Sequence, residues 1–80
     1  MNVKNKYLEL VKKVAVEKFG VEPAEIHPDS YFEEDLNISE LDLNEMLLEL
    51  EEKLHIDLVD EKDNISSVQD LLDILIEKLE

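Results

Sequence analysis

Eighty residues with 44% hydrophobic content can bury one modest core, so residues 1–80 are expected to form a single domain. One glycine and two prolines against 38% charged residues favour helices over a many-turned β fold, and the lack of cysteine excludes disulfides, thiolate metal sites and thiol nucleophiles. The net charge of −14 argues against nucleic-acid and anionic-membrane surfaces.

That charge is uneven. Residues 1–19 hold five lysines against two glutamates (net +3), whereas residues 20–80 hold twenty acids against three lysines (net −17). Such a surface steers a basic protein partner toward itself. No apolar run approaches the roughly 20 residues needed to span a bilayer, and no secretion-signal stretch opens the chain. The expected location is the cytoplasm and the expected state a monomer.

The first helix is predicted from Asn2 to about Phe19. Leu8, Val11, Val14, Ala15 and Phe19 share a face, flanked by Tyr7 and Leu10, and Gly20 stands where a left-handed stop belongs. Val21 to Ser30 contains both prolines and reads as an extended connection with a tight turn at Pro28-Asp29-Ser30. Ile26 and Phe32 are its expected inward anchors.

A second helix is predicted over 40–54. Ser39 can cap it, and Asp42, three residues on, gives the S-x-x-D spacing of a reciprocal capping box. Glu40, Asp42 and Glu45 lie near the positive end of the helix dipole, which favours anions. Apolar residues recur at 43, 46, 47, 50 and 54, leaving Glu45, Glu49, Glu52 and Lys53 on the outer face. His55 to Val59 reads as an extended link that turns Ile56 and Leu58 inward. Asp60 to Asn64 is expected to form one short helical turn capped by Asp60. The last helix starts at Ser66 or Ser67, both of which have capping-box partners in Gln69 and Asp70. Val68, Leu71, Leu72, Leu75 and Leu79 form its apolar face. The expected fold is all-α, a small bundle of three main helices plus one short one, with a long crossover between the first two.

The segment Asp35-Leu36-Asn37-Ile38-Ser39-Glu40-Leu41-Asp42 resembles the D-L-G-x-D-S-L-D segment of acyl carrier proteins, without gaps through Leu50-Glu51-Glu52. Gly20-Val21, the run from Glu25 to Leu36, and Ile65-Ser66-Ser67-Val68-Gln69 extend the resemblance over roughly residues 4–80. The family attaches 4′-phosphopantetheine to its serine as a phosphodiester, and the thiol of that arm carries acyl groups as thioesters. Here Glu40 stands at the serine position and Ser39 at the preceding aspartate. A glutamate cannot form that linkage, so the resemblance implies a carrier-like module without the arm at the usual place. Ser39 is the nearest substitute, and a chain modified there would serve as an acyl or aminoacyl carrier in lipid or secondary-metabolite biosynthesis. The resemblance further implies that Leu41, Asp42, Asn44, Glu45, Leu48, Glu51 and Glu52 meet the basic patches of synthases and acyl-transfer enzymes. Asn44 replaces a usual apolar residue and Ser39 a usual acid.

Other chemistries are poorly represented. Asp29 to Glu40 has the length of a calcium loop, but Tyr31 occupies a ligand position and Glu34 stands where the sharp turn requires glycine. His27 and His55 lack partners at metal spacing and read as surface residues, so no metal is expected. No nucleophile–base order, phosphate loop or paired-carboxylate motif appears, and no enzyme activity is expected. The last helix lacks the basic polar face of a membrane-surface helix. Whether a hollow exists between the helices depends on how Leu47, Leu50, Ile65 and Leu71 pack.

Overall fold

A computed structural model describes residues 2–80. Three α-helices follow one another as α1 (Val3–Phe19), α2 (Glu40–Leu54) and α3 (Val68–Leu79), with 3-10 turns at Pro23–Glu25 and Val59–Asn64. No strand forms among the described residues; Tyr31 and Ser67 make one isolated antiparallel bridge. The all-α bundle is therefore as expected.

Each helix is defined by its ends. Asn2 accepts the Asn5 N–H at 2.8 Å to start α1, and Gly20 ends it at φ 67°, where a residue without Cβ avoids the left-handed penalty. His55 ends α2 in the same conformation, at φ 58°. Ser67 begins α3, and there the box is reciprocal: Ser67 Oγ accepts the Asp70 N–H, and an Asp70 carboxylate oxygen accepts the Ser67 N–H at 3.0 Å.

The core joins faces of all three helices to the crossover. Val11, Val14 and Ala15 of α1 meet Met46, Leu47 and Leu50 of α2 and Leu71, Leu72 and Leu75 of α3, with Ile26, Phe32 and Ile38 entering from the connection. α1 packs most extensively on α3, and the Val59–Asn64 helix lies against α2. Burial of these side chains at roughly 25 cal/mol per Å² of apolar area is the main favourable term.

Four details depart from the expectations. Tyr7 belongs to the buried centre of the α1 face, at 3% exposure, whereas Leu8 and Leu10 are half-buried. The Tyr7 hydroxyl donates to the Glu80 carboxylate, so a polar tip is satisfied at the core edge. The first connection is not wholly extended, because Pro23 opens a 3-10 turn in which the Ile26 N–H donates to the Pro23 carbonyl. Ile56 is only half-buried, while Leu58 is fully buried. Asp60 does not cap the short helix. That helix begins after Leu58, and its first N–H groups are received by Glu51 of α2.

Candidate functional site

The region of interest is the start of α2 and the outer stripe that runs from it. Ile38, at 2% exposure, anchors the last loop residues in the core, and its N–H donates to the Phe32 carbonyl at 2.7 Å. Ser39 follows in extended conformation and accepts the Asp42 N–H at 3.2 Å. The return bond from Asp42, which the S-x-x-D spacing suggested, does not form; this cap works in one direction.

Glu40 is the first residue of α2, with its side chain 76% exposed. Its carboxylate pairs with Lys62 Nζ at 3.2 Å across the gap to the short helix. A cavity of about 280 Å³ opens beside this pair, lined by the buried Phe32, Ile38, Leu43 and Ile65 and by polar residues that include Glu33, Glu34, Lys62 and Asp63. Of the four residues expected to decide whether a hollow exists, Ile65 lines this one, while Leu47, Leu50 and Leu71 are fully packed.

The outer stripe of α2 alternates apolar and acidic residues. Leu41 is 80% exposed and Leu48 49%, seven residues apart and therefore two turns along one side. Glu45 and Glu52, on the same side, are also exposed. Asp42, Asn44 and Glu51 are half-buried along its flanks. Large exposed leucines separated by carboxylates form a surface on which a partner can bury apolar area and meet opposite charge.

Glu51 has a further task that local spacing does not reveal. One carboxylate oxygen accepts N–H groups from Leu58 at 2.6 Å and Val59 at 2.9 Å. Those donors, Leu58 first, hold its carboxyl below the usual glutamate range, against a smaller opposing effect of lost hydration. Asp70 is held low in the same way, chiefly by the Ser66 N–H. Among the described residues no three histidine, aspartate or glutamate side chains converge as a metal site, and no helix is long and apolar enough to cross a membrane.

The chain is thus a small helical bundle whose second helix is acidic, capped after a long crossover, and bears exposed leucines. Acyl carrier proteins from three bacteria align with most of this chain. That of Solidesulfovibrio magneticus is 37% identical over 71 residues, covering 88% of this chain and 91% of the relative. That of Thermosynechococcus vestitus is 36% identical over 73 residues, covering 90% of each. That of Helicobacter hepaticus is 43% identical over 65 residues, covering 80% and 86%. No model of a protein family matches the chain. At these identities and coverages the chain belongs to the acyl carrier protein family.

Proposed function

We propose that this chain is a carrier-type docking module that lacks phosphopantetheine at the family's attachment position and meets basic partner proteins, such as synthases or acyl-transfer enzymes, through α2. The observation that carries this reading is Glu40. In the gap-free register it occupies the serine position, and its carboxylate is engaged by Lys62. It offers no hydroxyl to receive a phosphodiester. The adjacent Ser39 is exposed, but its oxygen already accepts a backbone N–H of α2. A cap of this kind contributes about 1 kcal/mol. Ser39 also lies one residue earlier, about 100° around the helix from the family's serine.

The docking part of the proposal is supported by the Leu41, Glu45, Leu48 and Glu52 stripe. Asp42, Asn44 and Glu51 flank it and set its edges. Glu51, already bound to two backbone donors, contributes negative charge rather than a free carboxylate.

Incubation with a phosphopantetheinyl transferase and coenzyme A, followed by intact-mass measurement, tests the first part. The unaltered chain is expected to keep its mass, and a Ser39→Asp, Glu40→Ser double variant, which restores the D-S-L-D segment, is expected to gain the arm. A gain by the unaltered chain would overturn the reading in favour of a working carrier modified at Ser39. For the docking part, affinity for a basic acyl-transfer enzyme is expected to fall as salt rises, since exposed charges are screened beyond about 10 Å at 0.1 M. An affinity flat across that range removes charge-led docking.

A further inference from the structure

Helix α2 contains one uncharged polar residue, Asn44. It lies three residues after Leu41 and four before Leu48, so it neighbours both exposed leucines on the helix surface. It also lies four residues after Glu40 and seven before Glu51, on the line of α2 whose two ends reach toward the short helix. Those ends are engaged. Glu40 pairs with Lys62 at 3.2 Å, and Glu51 accepts the Leu58 and Val59 N–H groups. The half-buried Asn44 between them makes no side-chain hydrogen bond among the described residues. Among those residues no buried side-chain polar atom is left without a partner, so this amide is open to solvent.

From this placement we infer that Asn44 is the specificity-determining residue of the docking face. It selects basic partners that bring a side-chain amide to the point beside Leu41 and Leu48, and it turns away those that bring an aliphatic side chain there. The inference rests on the docking reading and adds the chemistry of the partner to it. The rest of the stripe sets no such condition. Exposed leucines accept any apolar surface, and Glu45 and Glu52 accept any cation or donor. A side-chain amide is more demanding, because its carbonyl and its NH2 both give up water when a partner covers them. Under an aliphatic side chain it is left unpaired, which costs more than one hydrogen bond ordinarily contributes. Under a glutamine or asparagine, which donates and accepts at once, its bonds to water are exchanged for bonds to the partner. The selection therefore comes mainly from the penalty against the wrong partner.

A double-mutant cycle of affinities tests it, using the intact protein and a basic acyl-transfer enzyme with leucine at the contact opposite residue 44. The unaltered protein and Asn44→Val are each measured against that enzyme and against the same enzyme with glutamine at the contact. Valine and asparagine have nearly equal helix propensity, so the exchange leaves α2 intact. Asn44→Val is expected to tighten binding to the leucine enzyme about fivefold and to weaken binding to the glutamine enzyme about fivefold, a factor that corresponds to about 1 kcal/mol. Both shifts are expected to be the same at low and high salt, since no charge changes. Glu45→Gln, measured alongside, is expected to weaken binding to both enzymes, and less so at high salt, which reports on charge-led docking itself. A salt-dependent loss in Glu45→Gln without an exchange of preference in Asn44→Val overturns the inference and leaves docking standing. No affinity for either enzyme in any combination overturns both.

Discussion

The starts of α2 and α3 carry the same signature, a serine followed three residues later by an aspartate, and their surroundings differ. At α3 the signature closes on itself and is then covered. Asp70 returns to the Ser66 and Ser67 N–H groups, the Val68 N–H donates to the Ser30 carbonyl at 2.9 Å, and the Gln69 N–H to the Pro28 carbonyl at 2.7 Å. At α2 the serine caps and the aspartate does not return, and Ser39, Glu40 and Leu41 remain exposed. An identical local pattern thus yields a structural seam in one place and an accessible surface in the other. What decides is whether a distant segment arrives to accept the first-turn donors.

Substitutions can break this comparison. The largest difference is expected at the aspartates. Asp70→Ala should cost about 1–2 kcal/mol in urea unfolding, because two backbone donors lose a charged acceptor. Asp42→Ala should stay within about 0.5 kcal/mol, the range of surface changes that remove no partner. The serines come next. Ser67→Ala is expected to cost about 1–2 kcal/mol and Ser39→Ala about 0.5–1, since only the former belongs to a closed box. If the two serines cost the same, the seam contributes nothing beyond local capping.

Acid sharpens the contrast further. Asp70 and Glu51 both ionise below their unfolded values through backbone donors, Ser66 for the first and Leu58 for the second. Their contribution to stability is therefore present above about pH 4 and is lost as pH falls through the folded-state values. A pH series of urea midpoints should show this acid limb in the unaltered protein and a shallower one in Asp70→Asn and Glu51→Gln. The smallest expected effect is that of Glu40→Gln on global stability, within about 0.5 kcal/mol, because an exposed ion pair is all that is lost.

Much of this fold is legible in local spacing. The period of Leu43, Met46, Leu47 and Leu50 gives α2 its bounds and buried face, and Gly20 marks the end of α1. What local spacing hides is reach. Glu51 caps a helix that starts eight residues later, so Asp60 looked like the cap when a tertiary contact had already supplied one. Tyr7 lies deeper than its position beside the apolar stripe suggested, because Glu80, at the other end of the sequence, receives its hydroxyl. The reciprocal box was equally suggested at Ser39 and Ser67, and backbone geometry rather than residue identity separates them. At the candidate site, the identity of Glu40 was legible at once. Its ion pair with Lys62 was not, since nothing in the sequence places residue 62 beside residue 40.

The seam between Pro28 to Phe32 and Ser66 to Gln69 also bears on how the chain reaches its native state. Its bonds join residues separated by all of α2 and the links around it, so they cannot form until both arms of the polypeptide have come together. Alone, the twelve residues of α3 are at the margin of autonomous helix formation in water. The crossover thus adds long-range backbone bonds at the start of α3 to the packing of that helix on α1.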